Sequence, residues 1–153
     1  MTAFYFFVFL AACGAAAATG SVFLPGAWYQ SLKKPSWTPP KKAFPIVWTT
    51  LYVASAIAAT RIAISDNPGP GLALWSLQIA LNTLWTPVFF GAKRMGMGMI
   101  VIALLWLVMA AITVVFLQTD LIAGLLMIPY FAWIGLAGAL NWRIWRANRN
   151  RNK

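Results

Sequence analysis

The chain has no histidine, and its 153 residues include only two acidic side chains, Asp66 and Asp120. Without histidine there is no Ser/His or Cys/His nucleophile pair, no His-rich metal site and no His ligand for haem iron. A classical hydrolase or metalloenzyme is therefore set aside, with no metal site and no required cofactor expected. Asp66 and Asp120 both fall between apolar runs, so no span carries the acidic residue on which a proton-coupled pump or antiporter normally depends. A single cysteine, Cys13, cannot form an intramolecular disulfide and reads as a small buried residue. Charge of either sign is scarce: 9% of residues are charged, against about a quarter in a soluble domain.

What fills the chain instead is apolar. Hydrophobic residues make up 61% and the mean hydropathy is +0.75, the composition of an integral membrane protein. Five apolar stretches, about 4–24, 44–64, 72–91, 95–117 and 121–142, each come close to the roughly twenty residues that a spanning helix needs. They are rich in Ala and Leu and apolar on every side, unlike the short alternating strands of a membrane barrel. The expected fold is an all-α, five-transmembrane-helix bundle forming a single domain. Pro25-Gly26, Asp66-Asn67-Pro68-Gly69-Pro70, Lys93-Arg94 and Gln118-Thr119-Asp120 supply the breaks. The three short connections predict that the helices they join pack as antiparallel neighbours.

The basic residues are unevenly placed. Every lysine and arginine except Arg61 falls in the first loop, the third loop or the C-terminal tail, 143–153. With five spans those segments share one face, and the positive-inside rule makes it cytoplasmic, with Met1 outside if the protein occupies a plasma membrane. The net charge of +10 is accordingly assigned to topology and to contact with anionic lipid, with no nucleic acid partner expected.

Nine tryptophans and a few polar residues within the spans point to a site. Trp75, Gln78, Asn82, Trp85 and Phe89 recur at steps of three and four, which lines two amides and three rings along one stripe of the third span. The amides are costly against lipid, so they either bond across helices or line a cavity. The second span adds Trp48, Tyr52 and Ser55, and the fifth adds Tyr130, Trp133, Ala137 and Asn141. Trp142 and Trp145, beside the basic tail, read as interfacial anchors. The loop 25–43 contains Lys-Lys-Pro-Ser-Trp-Thr-Pro-Pro-Lys-Lys, Lys33 to Lys42. Its prolines fix φ and remove donors, so it is stiff and cannot continue either flanking helix.

Three stretches carry a family resemblance: Trp28-Tyr29-Gln30-Ser31-Leu32-Lys33-Lys34-Pro35-Ser36-Trp37-Thr38-Pro39-Pro40, then Asn82-Thr83-Leu84-Trp85-Thr86-Pro87-Val88-Phe89-Phe90-Gly91, then Pro129-Tyr130-Phe131-Ala132-Trp133. Together with Phe44-Pro45-Ile46-Val47-Trp48 they closely resemble the tryptophan-rich sensory protein/translocator protein family, also called the peripheral-type benzodiazepine receptor family, in a bacterial form. The resemblance implies a five-helix bundle, commonly a homodimer through the third span, that binds porphyrins such as protoporphyrin IX and haem, sterols such as cholesterol, and benzodiazepine-site ligands. It implies a ligand pocket under the first loop, with ligand-binding residues Trp28, Tyr29, Trp37, Trp48, Tyr52, Asn82, Trp85, Phe89, Trp133 and Ala137. The stiff loop then becomes a lid, with Trp37 over the opening and lysines available to porphyrin propionates.

The resemblance also implies that Trp48 and Trp133 take part in light-dependent porphyrin breakdown, a photochemical role short of classical enzyme activity. A sensory or regulatory binder is the expected function, and a translocator of porphyrin, sterol or another amphiphile is the alternative. Family members also occupy bacterial and mitochondrial outer membranes. One position departs from the animal members: their cholesterol motif has a tyrosine where Leu140-Asn141-Trp142 here places tryptophan.

Overall fold

A computed structural model describes residues Met1–Asn152, and their regular secondary structure is helical with no strand among them. Lys153, the last residue of the expected basic tail, lies outside the described residues. Five long helices, α1 (Thr2–Val22), α3 (Ala43–Ala63), α4 (Gly69–Thr86), α5 (Met95–Thr119) and α6 (Leu121–Asn148), are joined by short turns and by a first loop that holds the one-turn helix α2 (Ala27–Gln30). Helices α1, α3, α5 and α6 are each long and apolar enough to cross a membrane.

Helix α4 is shorter and more polar, and it completes the five spans in a different way. It runs on through a π-helical turn, Pro87–Gly91, and together they rise about 34 Å, enough to cross a hydrocarbon core. Its amides Gln78 and Asn82 are turned inward and buried, while Leu77 and Leu84 face outward, 47% and 49% exposed. The polar groups that lower its average hydropathy are thus removed from lipid, as burial of an amide in hydrocarbon demands.

The helices close into a ring. Helix α1 packs on α3 and α4, α4 on α5, α5 on α6, and α6 back on α3. The expected antiparallel pairing holds for α4 with α5 and for α5 with α6. It is weaker for α3 and α4, whose principal contacts lie elsewhere and which both pack on α1. Small side chains explain the closeness of α1: its Cys13 and Ala16 are buried, as are Ala56, Ala58 and Ala59 on α3, and small residues let helix backbones approach where lipid offers no hydrophobic drive.

The end away from the first loop is held by polar contacts. Asp120 caps α6 by accepting from the Ala123 N–H at 2.8 Å, and it takes both Nε and Nη2 of Arg61 at 2.8 Å. Gly124 is required beside this cap, because a Cβ there would stand 2.6 Å from the Cα of Leu117. At the other end α6 continues six residues past the expected end of the span, to Asn148, so the first part of the expected tail is helical. The connection into α5 places Lys93 at φ 56, a left-handed conformation uncommon for a lysine.

Candidate functional site

The tryptophan-bearing faces of α3, α4 and α6 meet inside the ring and build two layers. In the deeper one, Asn82 of α4 donates from Nδ2 to the Tyr130 hydroxyl at 2.5 Å and to the Tyr52 hydroxyl at 3.2 Å. Tyr130 in turn donates to Gln78 Oε1 at 3.1 Å. This chain ties three helices together where no water competes, which is where a hydrogen bond is least dispensable. Above it Trp48 stands edge-on to Tyr130 at 5.9 Å and to Trp133 at 6.5 Å, with interplanar angles of 87° and 88°. Phe44 closes on Trp133 at 5.7 Å. The perpendicular indoles make a corner, and both are only half-buried.

Two donors in this layer are left over. Gln78 Nε2 and Trp133 Nε1 are buried and have no acceptor among the described residues. A buried N–H without a partner costs about 1–3 kcal/mol, a cost that a ligand oxygen would remove.

The second layer lies nearer the first loop. The thirteen-atom helical bond pattern cannot continue through Pro87, which has no N–H, and the Ala92 N–H instead reaches back to the Pro87 carbonyl at 2.8 Å. The wider π turn directs Phe89 inward, where it is 2% exposed and stacks on Trp85 at 5.1 Å and 19°. Trp28 and Tyr29, carried on α2, cover Phe89 from the side of the first loop at 5.9 and 6.3 Å. Trp85 Nε1 donates to Asn141 Oδ1 at 3.2 Å, and Asn141 Nδ2 donates to the Met95 carbonyl at 3.1 Å. The Lys34 ammonium sits over the Tyr29 ring at 4.6 Å, and burial pushes the Tyr29 phenol above its usual pKa.

The ten residues singled out in the sequence therefore fall in three places. Trp48, Tyr52, Asn82 and Trp133 share the deep layer, and Trp28, Tyr29, Trp85 and Phe89 share the upper one. Ala137, half-buried one turn beyond Trp133, packs against the core beside them. Trp37 stands apart: it is 43% exposed and lines a basic cleft against Arg143 and Arg146. Tyr130, Gln78 and Asn141 were visible in the helical stripes but outside that set, and they prove to be the polar links of the two layers. Asn148 was missed altogether. Its amide accepts from the Lys33 N–H and donates to the Lys33 carbonyl, both at 3.0 Å, and so clamps the first loop to α6. The available signal was its spacing, seven residues after Asn141 and hence on the same helix face.

Residues 6–146 match the TspO/MBR family. The chain belongs to that family. It is 50% identical over 147 residues to Protein CrtK of Rhodobacter capsulatus, covering 94% of this chain and 92% of that protein. It is 47% identical over 146 residues to the Tryptophan-rich sensory protein of Cereibacter sphaeroides, covering 95% and 92%. The likeness extends to animals, with 36% identity over 137 residues to the Translocator protein of Homo sapiens, covering 84% and 81%. As a TspO/MBR protein the chain is a multi-pass integral membrane protein, and the aromatic layers lie within the bundle of that family's five-span fold.

Proposed function

We propose that this TspO/MBR protein is a receptor for flat, largely apolar ligands of the tetrapyrrole class, such as protoporphyrin IX or haem, held at the corner formed by Trp48 and Trp133. The observation that carries the reading is the buried Trp133 N–H with no acceptor, next to two perpendicular indoles that are only half-buried. A planar macrocycle stacked on one indole meets the edge of the other, each contact contributing on the order of 1 kcal/mol beyond area burial. A ligand oxygen satisfies the spare donor, and the lid lysines lie on the side from which propionates would protrude. Free-base porphyrin suits a chain without histidine, since no iron has to be ligated. An indole in contact with the macrocycle can also donate an electron when the pigment is photoexcited, which supports light-dependent porphyrin loss as a second activity of the same corner.

A receptor is favoured over a translocator because both ends of the bundle are closed. The lid end is fastened by an amide clamp and prolines, whereas the far end is closed by Arg61, Asp120 and the tight Gly124 corner. Passage through the bundle would require both ends to open. Tryptophan quenching by added protoporphyrin IX, followed by illumination of the same sample, tests the reading. Trp48→Phe/Trp133→Phe keeps most of the ring area, so binding should stay within a few-fold while light-dependent loss of the porphyrin band falls steeply. Absence of quenching in the parent overturns the receptor; unchanged bleaching in the double variant removes these indoles from the photochemistry. Porphyrin flux into sealed vesicles would restore the translocator.

A further inference from the structure

The lid end carries cations that meet no side-chain carboxylate among the described residues. The two side-chain carboxylates of the protein, Asp66 and Asp120, both sit in turns at the opposite end, and Asp120 is taken by Arg61 at 2.8 Å. Between residues 33–37 and the last turns of α6 lies a cleft of about 650 Å³ lined by Lys33, Lys34, Ser36, Trp37, Arg143 and Arg146. A second hollow of about 400 Å³ shares Lys33 and Arg146 and adds Arg149 and Arg151.

The shape of the cleft is fixed independently of any ligand. Asn148 holds the Lys33 backbone from both sides, and Thr38 donates from its hydroxyl to the Pro35 carbonyl at 2.7 Å. Lys34 is occupied, donating to the carbonyls of Gln30 and Leu32. Desolvation, with a smaller contribution from the nearby charge of Lys41, lowers its pKa. The Lys33 ammonium and the Arg143 guanidinium, by contrast, have no hydrogen-bond or ion-pair partner among the described residues, and Arg146 rests over the Trp142 ring at 5.7 Å. Trp37 and Trp142, 43% and 42% exposed, set the depth, since exposed indoles beside a basic segment settle at the headgroup level.

We infer that this cleft binds the phosphate of an anionic phospholipid headgroup, gripped by Arg143 and Arg146, with Lys33 adding charge and the Trp37 indole forming the apolar wall. The arginine fork matches two phosphate oxygens at once, a fit that a diffuse basic surface lacks. A lipid is favoured over free phosphate because indole and Pro35 line the cleft beside the cations at the depth where lipid phosphates lie. The site is separate from the Trp48–Trp133 corner and does not depend on what that corner binds.

The test uses the full chain in dodecyl maltoside, titrated calorimetrically with dioctanoyl phosphatidylglycerol, dioctanoyl phosphatidylcholine and inorganic phosphate. Phosphatidylglycerol should bind about tenfold tighter than phosphatidylcholine, and Arg143→Gln/Arg146→Gln should remove about that factor. Lys41→Gln/Lys42→Gln makes the same change in net charge outside the cleft and should weaken binding by less than about threefold. Arg143→Lys/Arg146→Lys keeps the charge without the fork, guards against a Gln variant that fails to fold, and should also weaken binding. Equal losses in the two Gln pairs would reduce the effect to a diffuse field and overturn the site. So would full affinity in the lysine variant or equal binding of phosphatidylcholine. Inorganic phosphate bound as tightly as the lipid, with the same arginine dependence, would overturn the lipid assignment.

Discussion

Removing the Tyr130 hydroxyl should be far more damaging than removing that of Tyr52, although both belong to the same network. Tyr130 is fully buried and is the only member placed to both accept from Asn82 and donate to Gln78. Tyr130→Phe leaves Gln78 with neither its oxygen nor its spare nitrogen paired, and Asn82 with only the longer bond to Tyr52, 3.2 Å. Interhelical hydrogen bonds in membranes contribute about 0.6 kcal/mol on average and up to about 1.7. An orphaned buried amide adds about 1–3 kcal/mol. Two lost bonds and one orphan give a destabilisation of about 2–4 kcal/mol. Tyr52→Phe removes one long bond and leaves Asn82 its stronger partner, so its cost should stay below about 1 kcal/mol. Both variants can be unfolded by titrating dodecyl maltoside micelles with sodium dodecyl sulfate and following helix content. Comparing them in one detergent cancels the micelle's own contribution. Equal midpoints for the two variants would refute the reasoning that Tyr130 is the node of the network.

Three further outcomes are expected. The Arg61 partner and the Ala123 N–H hold the Asp120 carboxyl below its ordinary pKa of 3.8, so its contribution is complete above that value and is lost as pH falls below it; Asp120→Asn should flatten the acid limb of a pH–melting curve in detergent, and an unchanged limb would deny the pair any role. Ala73, Ser76 and Ala80 form an exposed small-residue face on α4, so Ala80→Leu should weaken a homodimer in detergent, and a dimer indifferent to bulk at both Ser76 and Ala80 uses another surface. Thiol labelling of Thr2→Cys and Asn150→Cys, in a Cys13→Ala background, should find position 150 on the cytoplasmic side and position 2 opposite; labelling of both from one side would contradict an odd number of spans.

Much of this protein was legible in one dimension. Spanning helices must satisfy every backbone group internally and be apolar over about twenty residues, so composition and run length alone were enough for the helical class and for the spans of α1, α3, α5 and α6, whereas the more polar α4 needed its buried amide face to be seen as the fifth. The stripe from Trp75 to Phe89 was equally legible, because a period of 3.6 residues places those side chains on one face wherever the helix sits. Sequence could not say which faces meet. Whether Asn82 bonds across helices or lines an open cavity depended on the arrival of the Tyr52 and Tyr130 hydroxyls from α3 and α6, residues 30 and 48 positions away. The weak pairing of α3 with α4, the clamp of Asn148 on Lys33, the ion pair of Arg61 with Asp120 and the separation of Trp37 from the other rings have the same origin. Each depends on the relative placement of helices, which follows from many small packing contacts acting together, and no local spacing in the chain encodes it.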